Sequence, residues 1–454
     1  MVAANPAEFQ DPRAAQSGWR SAPRQPSLPE VFQSIPVPAG ASVLRRFLAF
    51  AGPGYLVAVG YMDPGNWATD IQGGSAYRYT LLSVILLSSL VAVFLQALSA
   101  KLGLATRRDL AQACRDAYSK NVNIALWISA EIGIAACDVA EVIGAAIALN
   151  LLFHLPIAIG VVATGADVLI LLALQHKGFR FIEALVIVLI ATISGIFAYE
   201  TLLSHPSPGP LFRGFIPSAE ILRNHDMLYV SLGILGATVM PHNLYLHSSI
   251  VQTRKIGETV AEIRDAIRNS YADTTIALGF AFLVNAAILI VAAAVFYESG
   301  HTDVSKIKDA YRLLTPLVGV SIATPLFAIA LLASGQNSTL TGTMAGQIIL
   351  EGFLHVKIAP WLRRLISRSL AIVPAVIVVS IMGENGLEKL MVLSQVILSV
   401  QLSFAVIPLV QFTCDKEKMG PFVNGPAVRW LGWFTAFAIG ALNGYLILTT
   451  YFLK

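Results

Sequence analysis

Met62-Asp63-Pro64-Gly65-Asn66 stands inside an apolar segment that begins near Phe47. An ionisable group at bilayer depth costs roughly 3 kcal/mol or more, so a carboxylate placed there marks a working site by default. Pro64 withholds a backbone donor and clashes with the preceding turn, while Gly65 tolerates the dihedrals that an interrupted helix requires. The segment is expected to unwind at this point. Unwound backbone survives in a membrane only where it is buried in protein or lines a wet cavity, which sets carbonyls free beside Asp63 and Asn66. Oxygen ligands around one negative charge make a cation site.

Gly236-Ala237-Thr238-Val239-Met240-Pro241-His242-Asn243 repeats the device in a later apolar segment. With the two breaks facing each other, Asp63 supplies charge, Asn66 a neutral oxygen, Gly60 and Ala237 carbonyls from the unwound turns, and Met240 a thioether. Hard oxygens suit Mg²⁺, Ca²⁺ and Mn²⁺ and sulfur favours softer ions, so the mixture points toward Mn²⁺, Fe²⁺ or their neighbours. Apolar filling, the commonest use of methionine, is the alternative for Met240. His242 at the start of a half-helix, with His247 beyond it, has an imidazole suited to proton transfer near neutral pH. A buried histidine satisfied by a neighbour is an equal alternative.

Glu131, Asp138 and Glu141 are spaced by seven and three residues, which keeps them on one broad face of a helix. Such a stripe marks a proton relay or cation pathway, or pairs with buried basic residues. Arg363, Arg364 and Arg368, at the start of a later span, are the obvious partners; snorkelling to the interface is their other use. The polar run Ser334–Thr343 either packs against neighbouring helices or lines a hydrated path.

The elements that must position these residues follow from composition. With 454 residues, 56% hydrophobic, 13% charged and a mean hydropathy of +0.69, the chain is too apolar to cover itself as a water-soluble globule. Apolar runs near or above the ~20 residues of a crossing helix fall at 47–77, 81–100, 124–153, 157–174, 182–203, 227–251, 276–297, 322–350, 361–382, 390–412 and 430–453. Eleven spans are expected. Most of the 31 Lys and Arg fall on the side of the N-terminal tail when it is placed in the cytoplasm, so the positive-inside rule gives an N-inside, C-outside topology. The two broken spans are first in successive groups of five, and an odd group size inverts the second repeat relative to the first. Repeats are placed at about 46–204 and 227–412, within a transporter domain of 46–454 whose last helix, 430–453, is extra.

Residues 1–45 are rich in proline and lack helical periodicity, and are read as a disordered cytoplasmic tail without the apolar core of a secretory signal. Three scattered cysteines suggest neither a disulfide scaffold nor a zinc module. The net charge of +4 implies no nucleic-acid partner. No phosphate loop, nucleophile elbow or HExxH pattern is present, so neither catalysis nor ATP drive is expected. Metal ions, protons and the lipid bilayer are the expected partners, with no cofactor and no obligatory protein partner.

Asp63-Pro64-Gly65-Asn66, Met240-Pro241-His242-Asn243 and the run Ala333–Thr343, in that order, resemble the three hallmark segments of the natural resistance-associated macrophage protein (NRAMP) family. The resemblance extends from about residue 47 to 450. It implies an all-α polytopic membrane protein of LeuT-like fold, with eleven helices in two inverted five-helix repeats whose helices 1 and 6 are broken. It also implies proton-coupled import of Mn²⁺ and Fe²⁺, with Cd²⁺ and Co²⁺ also carried, by alternating access across a bacterial plasma (inner) membrane. By motif position it implies Asp63, Asn66, Met240 and the carbonyls of Ala237 and Gly60 as metal ligands, joined in some conformations by Gln395. The implied proton path comprises Asp63, Glu131, Asp138, Glu141, His242 and Arg363 or Arg364. Magnesium-transporting relatives lose the methionine that this chain keeps. The proline-rich tail lies outside the shared pattern.

Overall fold

The computed structural model describes residues 18–21, 26–37, 42–166, 178–304, 307–318 and 323–451. Nearly all of them are helical. The helices that matter below are α1 (Val43–Phe50), α2 (Pro53–Gly60), α3 (Pro64–Tyr77), α4 (Leu82–Thr106), α5 (Leu110–Ala117), α6 (Lys120–Phe153), α7 (Ile157–Ala163) and α8 (Phe179–Leu203). They continue with α9 (His225–Thr238), α10 (Pro241–Ile250), α11 (Val260–Ala292), α12 (Ala323–Leu354), α13 (Pro360–Met382), α14 (Glu384–Thr413) and α15 (Pro426–Tyr451). Two short strands, β1 (Ile35–Pro36) and β2 (Arg254–Lys255), pair in parallel.

Among the described residues, eight helices are long and apolar enough to cross a membrane: α4, α6, α8, α9 run on into α10, α11, α13, α14 and α15. The other three expected spans fall short for identifiable reasons. The first is cut at Tyr61–Asp63 into pieces of 8 and 14 residues. The eighth, α12, has the length at 32 residues but carries the polar run Ser334–Thr343. The fourth, expected over 157–174, is described only to residue 166.

Both breaks are built the same way. Pro64 and Pro241 occupy the first position of α3 and α10, where a missing N–H costs nothing and the fixed φ suits a helix start. At the first break, side chains take up the freed carbonyls. Asn285 Nδ2 donates to Tyr61 O at 2.8 Å, Trp67 Nε1 donates to Met62 O at 3.2 Å, and Ser334 Oγ also donates to Met62 O.

Helix α6 is the central post, packed against α12, α14 and α13 and buried along most of its length. Lipid offers no hydrophobic drive for helix association, so close backbone approach carries the packing. At Gly144 a side chain would overlap Pro64, and at Gly236 it would overlap the backbone of Gln395 and Ser399. These two glycines seat the start of α3 against α6 and the end of α9 against α14. Trp67 locks the next turn by edge contacts with Phe197 (4.7 Å) and Phe327 (5.1 Å).

The N-terminal region differs from the disordered tail that its composition suggests. Its described residues pack on the bundle: Arg20, Ser27, Leu28 and Ile35 are buried, and Trp19 lies 5.6 Å from the Phe412 ring. A few anchors spaced among prolines give no periodicity to read, so composition hides them.

Candidate metal centre

Asp63 caps α3, its Oδ1 accepting from the backbone N of Asn66 at 2.8 Å and from Asn66 Nδ2 at 2.7 Å. Asn66 Nδ2 also donates to Ala237 O at 3.1 Å, across to the end of α9. One amide NH₂ therefore bridges a carboxylate on one broken helix and a free carbonyl on the other. Two oxygens that converge on one neutral donor are oxygens that a cation can join, once the amide turns its own oxygen inward. Asp63 Oδ2 is buried with no hydrogen-bond partner, and so is Gln395 Oε1 on α14. Gln395 lies against Gly65, where a side chain would overlap its amide.

Met240 caps α10 and is fully buried. Its neighbours Val239 and Leu244 are buried in the apolar core. Its sulfur faces Gly60, at 3.3 Å from where a Cβ of that residue would stand. At the two breaks the structure thus joins Asp63, Asn66 and Ala237 by hydrogen bonds, sets the Met240 sulfur against Gly60, and sets the Gln395 amide against Gly65. Among the described residues no three His, Cys, Asp or Glu side chains stand where they could together hold a metal ion. A site of one carboxylate and neutral donors suits an ion that must leave again.

The acidic stripe of α6 is met by the arginines of α13. Arg363 Nη2 reaches both oxygens of Glu131, at 2.9 and 3.0 Å. Arg364 donates to Asp138 Oδ1 at 2.6 Å and to Glu141 Oε2 at 3.1 Å, and Arg368 Nη1 stands 3.5 Å from Glu141 Oε2. Ser338 and Thr339 of the α12 polar run donate to Glu141 at 2.8 and 3.2 Å. Two charged partners and two hydroxyls are what a carboxylate needs to stay in a nearly dry interior. Arginine pairing thus accounts for all three cations, and snorkelling for none.

Asp63 and Glu141 do not share a direct hydrogen bond among the described residues. His242 approaches the Glu141 cluster through Cys137: its Nε2 is 3.9 Å from Cys137 Sγ, which is 3.6 Å from Glu141 Oε1. Weighing cysteines only as metal or disulfide partners gives no hint of Cys137; its signal is its place one helical turn before Glu141. Asn285, which holds Tyr61 O and donates to Asn66 Oδ1 at 3.2 Å, also lies outside the residues that the sequence singles out. A lone asparagine in the apolar run 276–297 is the available sign.

The description "natural resistance-associated macrophage protein-like" covers the family match over residues 54–449. A divalent metal cation transporter, MntH, of Listeria innocua is 58% identical over 438 residues, 96% of this chain and 98% of that one. A crystal structure of a manganese transporter from Eremococcus coleocola superposes with a TM-score of 0.86 at 44% identity, covering 92% of this chain and 90% of that one. Mhp1, a nucleobase-cation-symport-1 family transporter, shares the fold at 16% identity, with a TM-score of 0.58 over 92% of this chain and 93% of that one.

Proposed function

The chain belongs to the natural resistance-associated macrophage protein-like family, metal ion transporters rather than enzymes, and from that premise we propose that it imports Mn²⁺ and Fe²⁺ by proton-coupled alternating access. Cd²⁺ and Co²⁺ are accepted at the same site. The membrane is a bacterial inner membrane, with the N-terminus cytoplasmic and the C-terminus outside. The observation that carries this reading is the single NH₂ of Asn66 held by both Asp63 and Ala237 O, which ties the two broken helices together at a buried carboxylate. Breaks at matching places in 46–204 and 227–412 support inverted repeats whose halves rock about that point, with α15 outside them.

A proton and a metal compete for the oxygens of Asp63, so an arriving ion displaces the proton. The candidate receiver is the cluster around Glu141, with His242 and Cys137 on the way and Asp138, Arg364, Arg363 and Glu131 beyond. Purified protein in proteoliposomes is expected to take up Mn²⁺ faster under an inward proton gradient, and to acidify the lumen as it does so. Uptake indifferent to the gradient would remove proton coupling and leave a passive path.

Glu141→Gln separates the two cargoes. The amide oxygen still accepts from Ser338, while the NH₂ in place of Oε2 no longer accepts from Thr339 and the charge is gone, so Mn²⁺ binding is expected within about threefold of wild type while lumenal acidification falls about fivefold or more. Unchanged acidification in this variant would place the relay elsewhere.

A further inference from the structure

We propose that the stretches 18–21 and 26–37 act as a strap that holds the inner mouth of the transport path shut and must release for the ion to leave. The orientation, though not the device, rests on the N-inside topology proposed above. The strap has three fastenings. At the first, Arg20 donates to Leu104 O at 2.7 Å, near the end of α4, and pairs with Glu258 at 3.2 Å. Arg108 donates to Trp19 O and lies 5.0 Å over the Trp19 ring, while Lys418 covers that ring at 5.4 Å and Phe412 packs beside it. At the second, Ser27 Oγ donates to Asp109 Oδ2, the residue that caps α5. At the third, β1 pairs with β2, flanked by Gln33 N to Gln252 O at 3.0 Å and Val37 N to Lys255 O at 3.4 Å.

The third fastening matters most for gating, because β2 contains Arg254. That buried guanidinium grips the entry to α2, donating to Phe50 O at 2.9 Å, Ala51 O at 2.7 Å and Glu183 Oε1 at 2.7 Å. Asp273 takes the backbone N–H groups of Gly52 at 3.2 Å and Gly54 at 2.7 Å. Inward opening requires the inner half of the broken first span to leave these partners. The strap precedes α1 and α2 in the chain, and it is sewn to the strand that carries Arg254. Movement of α2 away from β2 therefore pulls on β1, and the strap links that movement to α4, α5 and the end of α14. A tail that held no mechanical role would not need to bury an arginine and a serine against two separate helices.

Two experiments on the full chain test this. In Ser27→Cys with Asp109→Cys, an oxidant is expected to form the cross-link, verified by mass spectrometry, and to cut Mn²⁺ uptake about tenfold, with recovery on reduction. Undiminished uptake by the verified cross-linked protein would overturn the proposal. In the release arm, Ala58→Cys on the buried face of α2 reports opening through its rate of labelling by a polar maleimide. Adding Trp19→Ala and Arg20→Ala is expected to raise that rate about fivefold; an unchanged rate in well-folded protein, judged by size-exclusion profile, would overturn the proposal equally. The labelling arm needs neither metal nor gradient, so its outcome is independent of the cargo assigned above.

Discussion

Asp63→Ala is expected to abolish saturable Mn²⁺ binding, lowering affinity by at least about a hundredfold. Every other candidate ligand is neutral: an asparagine, a glutamine, a thioether and backbone carbonyls. A divalent ion about 4 Å from a carboxylate gains roughly 8 kcal/mol at an effective dielectric of 20. Desolvation of both partners offsets much of that, but even about 3 kcal/mol of surviving gain is about a hundredfold in affinity. The alanine also removes the cap of α3, which costs about 1 kcal/mol of helix stability. Asp63→Asn separates the two effects, since an asparagine caps as well as an aspartate but carries no charge. Both variants are expected to lose binding by titration calorimetry on purified protein, with Asp63→Asn keeping the wild-type melting temperature within a few degrees. Wild-type-like binding by either variant would end the assignment of Asp63 as the charged ligand.

The two prolines make the breaks readable from the chain alone, because a proline beside polar side chains in an apolar run is costly in every role except interrupting a helix at a site. The pairing of stripe and arginines is readable as one of two options, and burial of Arg364 and Arg368 decides between them. The polar run of α12 reads equally as packing or as the lining of a path. In the fold its Ser338 and Thr339 hold Glu141 and its Ser334 caps the first break, so it serves the charged cluster and the unwound turn at once. Those partners lie 197, 198 and 272 positions away in sequence, and no local pattern encodes such a distance. Asn285 escapes for the same reason, since its contacts with Tyr61 and Asn66 lie 224 and 219 positions away, and so does the approach of Cys137 to His242, 105 positions on. The strap escapes for a different one. Its anchors are single residues among prolines, and composition averages them away.

Met240→Ala is expected to keep Mn²⁺ transport within about threefold of wild type while letting Ca²⁺ compete at concentrations about tenfold lower. Met240 is fully buried with its sulfur toward Gly60, at the break in the first span. Mn²⁺ sits low in the affinity series and accepts oxygen readily, so water in place of sulfur costs it little. Cd²⁺, which is softer, loses more. Ca²⁺ and Mg²⁺ gain, because a site of one carboxylate, amides and carbonyls is the kind of oxygen cage they prefer, and the thioether takes one of those places with a poor donor. The sulfur thus works mainly against the abundant competitor, which is how discrimination between chemically close ions is obtained when raw affinity cannot supply it. The measurement is Mn²⁺ uptake in rising Ca²⁺ for wild type and variant side by side, with Met240→Leu as the control that keeps the volume and removes the donor. Leucine should admit Ca²⁺ less freely than alanine, since it leaves no room for water, and should still weaken Cd²⁺. Equal resistance to Ca²⁺ in wild type and Met240→Ala, together with unchanged Cd²⁺ transport in Met240→Leu, would return Met240 to the role of filling.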